Sequence, residues 1–322
     1  MKRSFLFASI SGFALLALAC SSSTGTATPA DGADGGSSGT SGTSGSGGMT
    51  PVKGAIFTIV LENHDYAEIV GSPDAPYINQ LIASYGLATN YQDSGTHPSL
   101  PNYLTMISGE PQYGGGLDLN PDTSPFPVTA PNLGSQLEAA KITWRSYQES
   151  SGTPCNMAVT SPYAPKHDPF LYFTDMQVSE LCAARNVDYG TFAADLAAGA
   201  TRFMWITPNL TSDGHDPDKD PVTGLKHSDA WVATEIPKIM ASAVYKNGGV
   251  IFLTWDEAEG RSGANSMDQI PMIVISENIK SAGYKSAKAY SHKSYLATVE
   301  DLLGMPRLAT VANEPSMTEF LK

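Results

Sequence analysis

The chain contains 322 residues, of which 41% are hydrophobic, and it carries a formal net charge of −13. This length and apolar content are sufficient for a sizeable buried core. The negative charge argues against a nucleic acid as the main partner, because a phosphate backbone would be repelled. It does not exclude a small phosphate substrate, since one metal ion can reverse the local field.

The first 20 residues have the layout of a secretory signal peptide, with two basic residues, an apolar run and small residues that end at Cys20. Cys20 follows Ala-Leu-Ala, an arrangement that resembles a bacterial lipobox, so we expect this cysteine to be lipidated. An ordinary signal peptide cut near the same position is the alternative. Residues 21–50 are rich in Ser, Gly and Thr and should form a flexible tether. We therefore expect an exported protein, either secreted or lipid-anchored to the cell envelope, with Ser21 favouring the outer membrane.

Residues 51–322 have the size of a single large α/β domain, and strands alternate with helices along them. The predicted strands are residues 54–62, 143–149, 202–209, 248–255 and 270–276. The predicted helices are residues 76–86, 131–141, 228–247 and 294–306, together with one that begins at Asn102. Ser228 or Asp229 is expected to cap the third of these helices, and Pro237 to bend it. This alternation predicts a three-layer α/β/α sandwich around a mainly parallel sheet.

Polar clusters follow three of the predicted strands. Glu62 and Asn63 come after the first strand, residues 209–216 after the third, and Asp256 and Glu257 after the fourth. Sites in such folds gather at the carboxyl ends of strands. Carboxylate and amide oxygens suit Mg²⁺, Ca²⁺ or Mn²⁺, and adjacent acids repel each other unless a cation lies between them. Either pair alone is equally typical of a helix cap or a solvated loop.

A serine and several histidines accompany these clusters. Ser99 lies in the segment THPSLPNYLTMISG, where Pro98 and Pro101 restrict the backbone on both sides. The six histidines are His64, His97, His167, His215, His227 and His292. Several of them are next to the polar clusters rather than inside apolar runs, which favours a catalytic site over separate surface positions.

Two further cysteines, Cys155 and Cys182, remain in the predicted domain. In an exported protein such a pair indicates a disulfide, and a buried reduced pair is the alternative.

Six segments carry a resemblance that extends over nearly the whole domain. They are LEN at 61–63, THPSLPNYLTMISG at 96–109, KHDPF at 166–170, PNLTSDGHD at 208–216, TWDEAEG at 254–260 and YSHKSYLATVEDLLGMP at 290–306. In this order they resemble the bacterial phosphoesterase family that includes secreted acid phosphatases and phospholipases C. That family is part of the alkaline-phosphatase-like superfamily, so the resemblance implies an alkaline-phosphatase-like fold.

The resemblance also implies a reaction, which is hydrolysis of phosphate monoesters through a phosphoserine on Ser99. One divalent metal ion, which would be Mg²⁺, Ca²⁺, Mn²⁺ or Zn²⁺, is expected to be bound by Glu62, Asn63, Ser99, Asp256 and Glu257. The groups expected around the phosphoryl oxygens or the leaving group are His97, His215 and His292 as catalytic residues, with Asn102 and His167 as substrate-binding residues. Several charged imidazoles beside a single metal would imply an acidic pH optimum.

Three alternatives accompany this interpretation. A phospholipase C would act on phosphodiesters of lipid head groups, and would take a phospholipid in place of a small phosphate ester. A surface binding protein would have kept the fold and lost the chemistry, which the intact Ser99 and acidic pairs disfavour. An arylsulfatase is disfavoured because the nucleophile segment of those enzymes resembles CxPSR or SxPSR, whereas this chain has SLPNY.

Overall fold

The computed structural model describes residues 50–113, 116–123, 127–215, 221–259 and 267–322. The predicted signal peptide, Cys20 and nearly all of the predicted tether lie outside these residues, as do Asp216 and Gly260 of the motifs quoted above. Within the described ranges, no helix combines the length and the apolar character needed to cross a bilayer.

One sheet runs through the domain and combines parallel with antiparallel pairing. Its strands are β1 (Ile56–Leu61), β2 (Gly86–Gln92), β3 (Trp144–Gln148), β4 (Asn186–Asp188), β5 (Phe203–Thr207), β6 (Val250–Trp255), β7 (Gln269–Ile275), β8 (Tyr284–Ser286) and β9 (Tyr290–Ser291). The spatial order is β4-β3-β5-β1-β6-β7-β2-β8, and β9 also pairs with β2. Every pairing is parallel except those of β7, which is antiparallel to both β6 and β2.

Helices surround this sheet. They are α1 (Tyr66–Ile69), α2 (Pro76–Ser84), α3 (Ser99–Ser108), α4 (Leu133–Ala139), α5 (Ser179–Arg185), α6 (Phe192–Ala198), α7 (Pro221–Ala241), α8 (Ala243–Lys246) and α9 (His292–Leu303). All six residues of β1 and all six of β6 are buried, which requires cover on both faces of the sheet. Helix α3 packs against α9, and α2 packs against α7. The predicted α/β sandwich with a mainly parallel sheet is therefore confirmed.

Two helix starts differ from the predictions by three residues or more. Helix α3 begins at Ser99 rather than Asn102, because Pro98 occupies its N-cap and Pro101 lies in the first turn, where a missing N–H costs little. Helix α7 begins at Pro221, so neither Ser228 nor Asp229 caps it. Asp229 instead caps α2, accepting hydrogen bonds from the backbone N–H groups of Tyr77 at 3.2 Å and Ile78 at 2.8 Å.

A disulfide joins Cys155, in the loop after β3, to Cys182 in α5, with 5.3 Å between their Cα atoms. It closes a loop within the segment between β3 and β4, since the two cysteines are 27 residues apart.

Candidate active site

The carboxyl ends of β1, β5 and β6 meet at one edge of the sheet and bring four acidic residues together. Glu62 follows β1, Asp213 follows β5, and Asp256 and Glu257 follow β6. The backbone joins these ends directly, since Glu62 N donates to the Asp213 carbonyl at 2.8 Å and Asp256 N donates to the Leu61 carbonyl at 2.9 Å. The four side chains are buried, and those of Glu62, Asp213 and Asp256 are completely buried.

Ser99 lies among these carboxylates. It is the first residue of α3, and only 3% of its surface is exposed. Its Oγ is 3.1 Å from Glu62 Oε2 and 3.4 Å from Glu257 Oε1. The structure therefore brings together the serine and the two acidic segments that lie far from it in sequence.

Asn63 is held against the same acids by a strained backbone. Its φ of 38° is in the left-handed region, which residues other than glycine seldom adopt. In this conformation its N–H donates to Asp256 Oδ1 at 3.2 Å, and its Nδ2 donates to Glu257 Oε1 at 3.2 Å. Local strain at a position that orients two acidic side chains is typical of a functional site.

Burial and mutual repulsion act strongly on the acids. Burial raises the pKa of Glu62 well above its usual range, and the charges of Asp256 and Asp213 raise this pKa further. The pKa values of Asp213 and Asp256 are likewise raised well above normal, again mainly by burial. Such a cluster is stable in the ionised form only beside a compensating positive charge.

The oxygens left without hydrogen bonds are consistent with a cation at this position. Among the described residues, Asn63 Oδ1, Asp213 Oδ2 and Asp256 Oδ2 are buried and have no hydrogen-bond partner. Buried polar atoms are otherwise almost always paired. Carboxylate and amide oxygens are suitable ligands for a hard divalent ion, so Glu62, Asn63, Asp256 and Glu257 could hold one, with Asp213 as a further candidate.

Asn102 and His97 both hold Glu257. Asn102 Nδ2 donates to Glu257 Oε2 at 3.1 Å and to the Thr96 carbonyl at 3.0 Å, while its Oδ1 accepts from Ser94 N at 2.9 Å. His97 Nδ1 forms a short hydrogen bond with the same Glu257 oxygen. The predicted roles of both residues, around the phosphoryl oxygens or the leaving group, stay predictions, and in the structure both side chains contact Glu257.

His167 is buried and lies beside Glu62. Its Nε2 is 3.4 Å from Glu62 Oε1, its Nδ1 is 3.7 Å from Asp213 Oδ2, and its ring stacks on Tyr103 with 5.2 Å between ring centres. The Tyr103 hydroxyl donates a hydrogen bond to Glu62 Oε1. Burial lowers the pKa of His167 well below its usual range, so this imidazole is a neutral partner of the acids.

His292 is buried, and both of its ring nitrogens have protein partners. Nε2 donates to the Asp256 carbonyl at 2.5 Å, and Nδ1 accepts from the Tyr91 hydroxyl at 3.0 Å. Burial lowers its pKa to about 4. It therefore fixes the backbone after β6 as a neutral group. The role predicted for His292 near the phosphoryl oxygens stays a prediction, and its lowered pKa gives no support to a charged imidazole at this position.

His215 is an exposed histidine at the rim of the site. Its N–H donates to Asp213 Oδ1 at 2.9 Å. With Lys166 and Asp118, it lines a cavity of about 450 Å³, whose other walls include the apolar side chains of Val159 and Leu210. This cavity lies near the acids, because the charge of Lys166, which lines it, acts to lower the pKa of Glu62.

Sequence reasoning missed three residues of this site. Asp213 was inside a recognised polar cluster, and its position two residues before His215 was the available signal. Tyr103 was hidden within an apolar helix pattern. Lys166, which pairs with Asp118, had no signal beyond its neighbour His167.

Comparison with known proteins finds relatives that are similar in sequence to this chain. The protein-family model described as "Phosphoesterase family" matches residues 71–306 of this chain. A phosphatidylinositol-3-phosphatase of Mycobacterium tuberculosis is 28% identical over 276 residues, which are 84% of this chain and 83% of that protein. A probable acid phosphatase of Kluyveromyces lactis is 28% identical over 288 residues, covering 85% of this chain but 64% of that protein. The chain thus spans less than two thirds of the Kluyveromyces protein.

The fold also has relatives among solved structures. A protein in the alkaline phosphatase superfamily from Vibrio parahaemolyticus superposes with a TM-score of 0.59 at 14% identity, covering 85% of this chain and 72% of the other. This similarity agrees with the fold class predicted from the alternation of strands and helices.

Proposed function

This chain belongs to the phosphoesterase family and is a phosphoric ester hydrolase, and we propose that it hydrolyses phosphate monoesters through a phosphoserine intermediate on Ser99. The observation that carries the proposal is the position of the Ser99 hydroxyl, within 3.4 Å of carboxylates from both acidic segments. A serine hydroxyl at the start of a helix also lies at the positive end of the helix dipole, which favours an anionic phosphate.

The cation in this proposal is one divalent ion held by Glu62, Asn63, Asp256 and Glu257, with Ser99 as a further ligand and Mg²⁺, Ca²⁺, Mn²⁺ and Zn²⁺ as the candidates. When bound, such an ion activates a hydroxyl oxygen and offsets the negative charge of a phosphoryl group. The unpaired oxygens of Asn63 and Asp256, found among the described residues, support this ligand set.

The chain's own residues would then perform the following steps. Ser99 Oγ attacks phosphorus, and its proton moves toward Glu62 Oε2, the nearest acceptor at 3.1 Å. The bond from phosphorus to the ester oxygen breaks, and His215 at the rim protonates the departing alkoxide. Water then attacks the phosphoserine and gives a proton to His215, while the proton on Glu62 returns to Ser99 Oγ as inorganic phosphate leaves.

The experiment compares Ser99→Ala with Ser108→Ala, a buried serine at the other end of the same helix. Ser99→Ala should abolish turnover of a chromogenic phosphate monoester while the far-ultraviolet circular dichroism spectrum stays the same. Acid quenching during turnover should yield phosphate bound to Ser99 in wild type. Unchanged turnover in Ser99→Ala would remove this mechanism, whereas equal loss in both variants would indicate damage to α3.

The second candidate is a phospholipase C-type phosphodiesterase acting on lipid head groups. The apolar walls of the cavity beside Lys166 support it, because they could accept the less polar part of such a substrate. Turnover of a chromogenic monoester should exceed that of the matching diester if the first proposal is correct. The opposite ratio would favour the phospholipase.

We further propose that the protein is exported and anchored by a lipid on Cys20. The signal-like first 20 residues and the lipobox-like sequence before Cys20 support this, and the Cys155–Cys182 disulfide suits an oxidising compartment. Mass spectrometry of the mature N-terminus tests it. A cleaved N-terminus without acyl groups would indicate an ordinary signal peptide and a secreted enzyme.

A further inference from the structure

A second cluster of cation-type ligands lies behind Glu257. Asp93 directly follows β2, Asp268 directly precedes β7, and His97 lies in the turn that leads to α3. The two aspartates are fixed by their backbones, since Asp93 N donates to the Asp268 carbonyl at 3.0 Å and Asp268 N donates to Asp93 Oδ1 at 3.1 Å. The antiparallel pairing of β2 with β7 therefore determines where both carboxylates lie.

Two carboxylate oxygens in this cluster are left without hydrogen bonds. Asp93 is completely buried, and neither its Oδ2 nor that of Asp268 has a hydrogen-bond partner within the described part of the chain. Each of these oxygens is 3.8 Å from His97 Nε2, which is beyond hydrogen-bond distance. One ligand atom from each of the three residues lies within 4.8 Å of the others, a separation that accommodates a metal ion between them.

The other nitrogen of His97 determines how the ring is presented. Nδ1 donates a hydrogen bond to the Glu257 carboxylate, and Nε2 faces the two aspartates, 3.8 Å from an oxygen of each. Histidines that bind metals nearly always donate their second N–H to a carboxylate or carbonyl in this way. Two carboxylate oxygens that face the same point without hydrogen bonds are electrostatically unfavourable unless a cation lies among them.

We propose that Asp93, His97 and Asp268 form a second divalent cation site, separate from the one formed by Glu62, Asn63, Asp256 and Glu257. One imidazole nitrogen with two carboxylates suits Mn²⁺ or Zn²⁺ better than Mg²⁺ or Ca²⁺, which prefer oxygen ligands alone. The site acts through His97, which it holds in position against Glu257. His97 is thus a positioning residue that connects the two sites.

Metal stoichiometry tests this proposal without relying on activity. The purified full chain is stripped with a chelator, loaded with Mn²⁺ and then with Zn²⁺ in parallel, and analysed for bound metal after dialysis. Wild type should retain two equivalents and Asp268→Asn one, while Asp122→Asn, which removes an exposed carboxylate elsewhere, should retain two. Glu62→Gln should also lose one equivalent, but from the other site.

The outcomes separate this proposal from the proposed function. A single equivalent in wild type, unchanged in Asp268→Asn but lost in Glu62→Gln, overturns the second site and leaves the first. Two equivalents in Glu62→Gln would instead contradict the first site. If Asp268→Asn fails to fold, wild-type crystals soaked in Mn²⁺ provide the answer. An anomalous peak among Asp93, His97 and Asp268 supports the site, and a peak confined to Glu62 and Asp256 refutes it.

Discussion

Glu300 provides the most quantitative prediction for this protein, because it is a buried acid far from the proposed chemistry. It lies in α9 and is completely buried. Its Oε1 accepts a hydrogen bond from Leu308 N at 2.9 Å, and its Oε2 has no hydrogen-bond partner among the described residues. Gln136 Oε1 is likewise buried and without such a partner in that part of the chain. Burial is the main cause that raises the pKa of Glu300 to about 7.

The raised pKa implies a loss of stability as the pH rises. An ordinary glutamate has a pKa of 4.5, so the folded state binds this proton more tightly than the unfolded state does. The favourable contribution of the protonated form is complete below pH 4.5 and is lost progressively as the pH rises to about 7. The difference between the two pKa values corresponds to a decrease of about 3 kcal/mol in the free energy of unfolding between low and high pH.

Glu300→Gln should abolish this pH dependence, because its amide is neutral throughout this pH range. At pH 8 the variant should be more stable than wild type by up to about 3 kcal/mol, and at pH 4 the two should be nearly equal. Urea unfolding followed by tryptophan fluorescence at both pH values measures the difference. Glu180→Gln, which removes an exposed carboxylate, is the control. A variant less stable than wild type at pH 8, or an equal difference at both pH values, would refute the reasoning.

Three further predictions concern the site and its scaffold. Tyr103→Phe removes the hydroxyl that donates a hydrogen bond to Glu62, so kcat/KM for a phosphate monoester should fall about ten- to a hundredfold. An unchanged kcat/KM would show that this hydrogen bond is dispensable. Asp229→Ala leaves two N–H groups of α2 uncapped and should lower the free energy of unfolding by about 1–2 kcal/mol in urea titrations, whereas Asp229→Asn should preserve most of it. Chelation of divalent ions should abolish turnover, and adding them back should restore it; activity that persists after exhaustive chelation would contradict the proposed cation.

The sequence by itself determined the local elements that are buried on both faces. The runs that became β1, β5 and β6 are continuously apolar because helices cover both sides of a parallel sheet, and this pattern is visible without any partner. The acids after β1 and β6 were recognisable for a related reason. A buried parallel strand must deliver its polar end to the same edge of the sheet as its neighbours, so Glu62 and Asp256 were predicted to meet.

Only the tertiary structure decided which groups each side chain contacts. Helical and strand periodicity do not encode that Asp229 caps α2, or that His292 binds the backbone after β6, since these contacts join residues 152 and 36 positions apart. The pairing of Asp93 with Asp268 likewise depends on β2 entering the sheet beside the antiparallel β7. Long-range contacts of single polar groups leave no repeating pattern in the chain, and burial then sets their pKa values. The connectivity of the sheet, rather than composition, therefore decided the electrostatics of the site.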